Sequence, residues 1–269
     1  MSGIADPNVQ PRFSDERNPT FGQGALRRRV KLIADKGLVR AGVEDSYHSF
    51  RLTLRHDGAR ITAIEPVFLR VPLTTCPSAE RPLQGFVGMP LDMPWRQLVA
   101  QENPRVHCTH LHDLCQLAMA QARRSGSRSY EVTVPDEYPD PVWTTLYRDG
   151  KLLLRWKTFR GAVLEPEAYA ERPLLKGFSS WANAEFSGDD LEAALVLHKA
   201  YFVSRARSWN VEASAGKGVA HHEMMRGACH SYNEPQMSVA IRHRDNNVDT
   251  SDPALPLLAD LDQFFGGPS

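Results

Sequence analysis

Two stretches of the chain alternate strictly between apolar and polar residues, and each runs into an Asp-Gly pair. In the first, Phe50, Leu52 and Leu54 alternate with polar neighbours, His56-Asp-Gly58 turns, and Arg60-Ile-Thr-Ala-Ile64 returns. In the second, Val142-Trp-Thr-Thr-Leu-Tyr147 leads through Arg148-Asp-Gly150 into Lys151-Leu-Leu-Leu-Arg-Trp-Lys157, with Leu152, Leu154 and Trp156 expected on one face. Asp-Gly supplies the positive φ angles that tight hairpins need. Tyr130-Glu-Val-Thr-Val134 reads as a further strand, ended by Pro135.

The period then changes to that of a helix. Leu111, Leu114, Leu117 and Ala118 predict a helix over about 109–124, with Arg123-Arg124 in its last turn and Gly126 beyond it. A longer helix is predicted over about 188–209. Ser187 and Asp190 suggest a capping box there, and Leu191, Leu195, His198 and Phe202 are expected to form its apolar face. His198 on such a face is read as a satisfied core histidine. Residues 1–25 and the chain beyond about Arg244 lack periodicity and are read as a flexible arm and a tail, apart from a short amphipathic segment at Leu255–Phe265.

Hairpins interleaved with helices, without the crossovers of a parallel sheet, predict an α+β fold: antiparallel hairpins packed with two main helices. The length of 269 residues suits one elaborated domain over 26–244, or two intimate halves, 26–126 and 127–244.

Charge changes the list of partners. Lys+Arg and Asp+Glu are equal at 32 each, which disfavours nucleic acid or an acidic membrane as the main partner. Arg27-Arg28-Arg29 with Lys31 reads as a solvated cluster in the N-terminal arm. No N-terminal segment resembles a signal peptide, no run approaches the ~20 apolar residues of a membrane helix, and four cysteines are too few for a disulfide scaffold. The expectation is a cytoplasmic protein with free thiols, acting on a small molecule, for which self-association stays open. Gly216-Lys-Gly218 lacks the remaining residues of a phosphate loop, so no nucleotide cofactor is expected.

Candidate chemistry is concentrated in four places. Cys108-Thr-His-Leu-His-Asp-Leu-Cys115 packs two thiols, two imidazoles and a carboxylate into about two helical turns. At a helix start Cys108 gains from the exposed N–H groups, which favour a thiolate. Cys108, His112 and Cys115 share one helix face, and His110 and Asp113 another. The alternative is a packed helix in which Cys115 joins Leu111, Leu114 and Ala118 while His112 faces solvent. Tyr47-His48 stands before the first hairpin, where His48 suits a pocket wall. Cys76, among Thr, Pro and Ser, suggests a strand-to-helix turn that activates a thiol or simply buries it. His221-His-Glu-Met-Met-Arg-Gly-Ala-Cys-His-Ser-Tyr232 is the fourth, offering His222, Arg226, Cys229, His230 and Tyr232.

These patches resemble a bacterial family catalogued as domain of unknown function 2889. The likeness is carried by Tyr47-His-Ser-Phe50 with the strand and Asp57-Gly58 turn that follow, by Val71-Pro-Leu-Thr-Thr-Cys-Pro77 with Leu83-Gln-Gly85, by Cys108-Thr-His-Leu-His-Asp-Leu114, and by Gly227-Ala-Cys-His-Ser-Tyr232. The family usually carries Gly before the first cysteine of the third motif, where this chain has His107. The resemblance implies no activity, but it places His48, Cys76, Cys108, His110 and Cys229 on matching motifs.

The leading expectation is an enzyme using side-chain acid–base chemistry without a cofactor, first a lyase acting on a small carbonyl or aromatic compound. His48, Cys108, His110, Asp113, His230 and Tyr232 are its candidate catalytic residues; Arg226, Cys76 and Tyr47 are its candidate substrate contacts, with Arg226 holding an anionic group. The alternatives are a zinc or iron enzyme whose ligands are His48, Cys108, His110 and His222, and a non-catalytic ligand-binding protein.

Overall fold

The computed structural model describes residues 14–261. In chain order the elements are β1 (Ala25–Asp35), β2 (Leu38–Glu44), β3 (Ser49–His56), β4 (Ile61–Arg70), α1 (Glu80–Leu83), α2 (Trp95–Gln101), α3 (Thr109–Ala122), β5 (Gly126–Pro135), β6 (Val142–Arg148), β7 (Lys151–Phe159), β8 (Ala162–Glu165), α4 (Phe178–Glu185), α5 (Gly188–Ser204) and α6 (Gln236–Val239). The fold is α+β and its strand pairings are antiparallel. Two compact units are present. One comprises Arg29–Ser129, Ala215–Val248 and the residues from Pro256; the other comprises the residues up to Arg28, Tyr130–Ser214 and Asp249–Leu255.

In the first unit the strand order is β4-β3-β2-β1. Phe50, Leu52 and Leu54 are buried, as their alternation predicts, and so are Val39, Ala41 and Val43 of the neighbouring β2. Helix α3 packs on β2 and β3 and buries Leu111, Leu114, Cys115 and Ala118. The β1–β2 hairpin was not expected. Arg27, Arg28, Arg29 and Lys31 are strand residues rather than a solvated cluster in an arm. Their charges mask an alternation in which Leu26, Val30 and Leu32 point inward, and Gly37 closes the turn at φ 69°. Arg29 Nη1 reaches the Leu257 carbonyl at 2.8 Å.

In the second unit the order is β5-β6-β7-β8. The predicted turn at Asp149-Gly150 has φ values of 51° and 75°, so both central residues are left-handed as a tight hairpin demands. Trp156 is buried but Leu152 is 50% exposed, because the register shifts between Leu146 and Tyr147 and ends the shared face. Helix α5 stops at Ser204, and its Ser187 N-cap makes no side-chain capping bond. Its buried face is Ala193, Val196, Leu197, Ala200 and Val203, rotated away from the one predicted, so Phe202 is exposed. Small residues set that face: alanines let the helix approach β6 and β7 closely where leucines would hold it off. His198 stacks on Phe178 at 4.0 Å between ring centres.

The irregular ends are tied down where they are described. Asn210 N donates to the Glu16 carbonyl at 2.9 Å, Val248 N to Ser46 at 2.9 Å, and Leu258 N to the Glu44 carboxylate at 2.8 Å. Thr250 is fully buried. The predicted segment Leu255–Phe265 extends past the described residues. Among those described, no helix is long and apolar enough to cross a membrane.

Leu52→Ala should cost about 3 kcal/mol of unfolding free energy, read from urea denaturation, because Leu52 is 1% exposed beneath α3. Val67→Ala, on half-exposed β4, should stay within about 0.5 kcal/mol.

Candidate functional site

The site begins with a turn. Between β2 and β3 the chain reverses over four residues, with Asp45 N donating to the His48 carbonyl at 2.9 Å. The Asp45 side chain is fully buried inside this turn. Its Oδ1 accepts from Tyr47 N and His48 N, both at 2.9 Å, and lies 3.0 Å from His48 Nδ1. An Asp whose side chain satisfies the amides two and three residues on is a common way to stabilise a tight reversal. Here the same oxygen also orients an imidazole. With the carboxylate as acceptor, Nδ1 carries the proton and Nε2 is left as the basic nitrogen.

Arg70, the last residue of β4, holds the turn from outside. Its Nη2 donates to the Asp45 carbonyl at 2.5 Å, and its Nη1 to Ser46 at 2.8 Å and Asn246 at 3.2 Å. Asn246 in turn donates to the Tyr47 carbonyl at 2.9 Å.

His110, in the first turn of α3, meets His48 with ring centres 3.8 Å apart and planes inclined by 36°. Phe50 stacks on both rings, at 5.9 and 6.1 Å. Asp45, His48 and His110 form a cluster in which one potential ligand atom from each lies within 4.8 Å of the others. Sequence reasoning missed Asp45. Its signal was an acidic residue three positions before His48, legible only once β2 is recognised as a strand ending there.

The remaining patches gather close by in the same unit. His230 N donates to the His107 carbonyl at 2.8 Å, and Asn233 Nδ2 to the Arg105 carbonyl at 2.7 Å, which docks the 227–233 segment beside the start of α3. Ser231 Oγ lies 3.5 Å from Cys76 Sγ, and the His230 ring contacts Ser78 Oγ at 2.7 Å and the Val106 carbonyl at 3.3 Å. Cys76, Cys108 and Cys229 lie near enough to influence one another's ionisation.

Several expected roles do not survive this geometry. Cys108 is the N-cap of α3, yet burial pushes its thiol far up rather than activating it. The helix dipole contributes about 2 kcal/mol at most, whereas full burial can disfavour the charged form by up to about 4–7 kcal/mol. Cys76 is likewise raised by burial, to about 11, outweighing the Ser231 hydrogen bond and the nearby Arg242 charge. His112 is fully buried instead of facing solvent; its Nε2 meets the Glu102 carbonyl at 3.0 Å and its ring packs edge-on against Phe86. Asp113 lies 3.9 Å from His112 Nδ1. Arg226 stands on the surface, bound to Glu223 at 2.9 Å and Glu234 at 2.8 Å, so its charge is already matched. His222 stacks on His221 and, like Cys108, lies outside the Asp45–His48–His110 cluster. Tyr47 is buried, its ring edge-on to His48 at 6.3 Å. Tyr232 is buried with its hydroxyl 3.4 Å from Arg242 Nη2, and burial raises its pKa.

Residues 29–124 match the model of a family described as protein of unknown function DUF2889. Over this segment the chain is similar to that family. The match covers β1 to α3 and so contains Asp45, His48, Cys76, Cys108 and His110; the 227–232 patch lies beyond it. No curated protein matches the chain. Similarity to DUF2889 carries no activity with it.

Two buried imidazoles beside the site make stability depend on pH. Desolvation lowers the pKa of His107, against its hydrogen bond to the Glu102 carboxylate, and that of His230, against its hydrogen bond to the Val106 carbonyl. A folded pKa below the unfolded value of 6.5 means the unfolded chain binds more protons in the interval between them. The stabilisation from these neutral rings is therefore complete above the unfolded value and declines as the pH falls beneath it. Urea unfolding at about pH 7.5 and about pH 5.5 should show the loss, and His230→Gln should shrink it. Thiol labelling of the native protein should modify Cys229 first, because Cys76, Cys108 and Cys115 are buried.

Proposed function

We propose that this protein is a small-molecule enzyme working by side-chain acid–base chemistry, with a lyase as the first reaction class. One observation carries the reading: a buried carboxylate, Asp45, fixes the tautomer of His48 at 3.0 Å, and His48 lies against a second imidazole, His110, at 3.8 Å. An oriented base needs a partner that fixes its proton, and Asp45 supplies it. His48 Nε2 abstracts a proton from the substrate, and His110, the neighbouring imidazole, donates to the departing group. Two adjoining imidazoles serve well as one acceptor and one donor. Phe50 shields the pair on one side, and Arg70 keeps the turn from relaxing. A substrate with a carbonyl or aromatic group can delocalise the charge left by proton removal, so bond cleavage needs no nucleotide.

The same cluster favours a second reading, in which Asp45, His48 and His110 hold a divalent ion such as zinc or iron. Two imidazoles on one tetrahedral ion, with metal–nitrogen bonds of about 2.1 Å, have ring centres about 5 Å apart. The observed 3.8 Å is a stacking distance, so the rings would have to swing apart to admit an ion. The acid–base reading needs no such movement and is preferred.

Incubating the purified protein with a panel of small carbonyl and aromatic compounds, and following products by mass spectrometry, tests the proposal. Asp45→Asn, His48→Gln and His110→Gln should each lower turnover by about 10²–10⁴ while unfolding cooperatively. Full turnover in His48→Gln and His110→Gln would remove the assignment. Elemental analysis showing one zinc or iron per chain, lost in the same variants, would favour the second reading. Turnover absent throughout, with the variants changed only in stability, would leave a ligand-binding protein.

A further inference from the structure

Arg242 is 4% exposed, and its backbone is pinned at both ends: Arg242 N donates to the Lys217 carbonyl at 3.0 Å, and the Arg242 carbonyl accepts from Gly216 N at 2.8 Å. Its guanidinium has a single hydrogen-bond partner among the described residues, the Tyr232 hydroxyl at 3.4 Å from Nη2. Its Nε is fully enclosed with no acceptor, and no carboxylate of the described residues comes within ion-pairing distance. A guanidinium does not shed its proton to escape burial, and an isolated buried charge is among the costliest things a fold can contain. The other unit shows how this chain settles a structural arginine. Arg207, also buried, is gripped by both oxygens of Asp136 at 2.7 and 3.1 Å. Arg242 has no such counterpart.

The groups around Arg242 do not provide the missing negative charge. Tyr232 is a phenol whose ionisation burial opposes, and the Cys76 thiol, which feels the Arg242 charge, is pushed up to about 11 by its own burial. What they provide are a neutral hydroxyl and a neutral thiol. Both belong to the patches that gather at the start of α3, where Ser231 touches Cys76 and His230 bonds to His107, one residue before Cys108 and three before His110. One fixed positive charge flanked by a hydroxyl matches a monoanion with two coplanar oxygens better than a dianionic phosphate.

We propose that Arg242, with the Tyr232 hydroxyl, anchors the carboxylate of a small organic acid, and that this acid is the substrate on which the His48–His110 pair acts. The inference rests on the acid–base reading for the word substrate; the anchor itself does not. It gives Arg242 the role that sequence alone assigned to Arg226.

Thermal unfolding and calorimetry of the full chain at constant ionic strength test it, with benzoate, succinate and inorganic phosphate as probes. Benzoate or succinate should raise Tm in a saturable way, and Arg242→Gln should weaken that binding by about tenfold or more. Arg242→Lys, which keeps the charge but loses the planar fork, serves if the glutamine variant fails to fold and should also bind at least about tenfold more weakly. Arg226→Gln should bind as the wild type does. A wild type unmoved by either carboxylate up to tens of millimolar, a shift that survives both Arg242 variants, a loss caused by Arg226→Gln instead, or a response to phosphate alone would each overturn the proposal. Carboxylate binding that persists while His48→Gln retains full turnover would sink the acid–base reading and spare the anchor. Loss of binding in the Arg242 variants with turnover intact would uncouple the anchor from the reaction.

Discussion

The hydrogen bonds of the Asp45 carboxylate hold the candidate site together. One oxygen satisfies two backbone amides and one imidazole nitrogen, so the turn between β2 and β3 and the orientation of His48 share the same cause. A buried carboxylate is tolerated only when its acceptor capacity is used. The turn uses it, and Arg70 fixes the carbonyls on the far side of the same backbone. Removing the carboxylate would therefore loosen the base and the loop together. Coupling of this kind puts a side chain in a defined place on a short, otherwise permissive connection.

Helix α3 supplies the other half of the arrangement by presenting two faces of different character. Leu111, Leu114, Cys115 and Ala118 pack downward onto β2 and β3, which leaves His110 at the edge of that contact beside His48. The cysteines follow the packing. Cys108 and Cys115 are small apolar fillers whose thiols are disfavoured as thiolates because the surroundings are dry. Local density of reactive groups is thus a poor guide: of the five such groups in Cys108–Cys115, His110 is the one the fold brings to the His48 cluster.

The arginines make the same point from the opposite direction. Arg226 sits in a motif rich in chemistry but is neutralised on the surface by Glu223 and Glu234. Arg242 lies in an unremarkable stretch of sequence, yet is enclosed beside Tyr232 with its Nε unmatched. Whether a cation is available to a ligand depends on the carboxylates around it, and neighbours in sequence are not neighbours in that sense.

Sequence by itself determined the period-two strands β3, β5, β6 and β7, the Asp149-Gly150 turn and the extent of α3, because these are written in local spacing and in residues that accept positive φ. It also pointed to His48 and His110. It did not disclose β1 and β2, whose inward Leu26, Val30 and Leu32 are interleaved with arginines, nor the buried face of α5, which alanines rather than leucines define. Asp45 was hidden with β2. The tertiary structure alone decided which titratable groups meet, which thiols are dry and which arginine lacks a carboxylate. Each of these is a statement about distance and burial between segments up to about two hundred residues apart, such as Tyr47 and Asn246, and hydrophobic periodicity carries information only over the few residues of one turn or one strand.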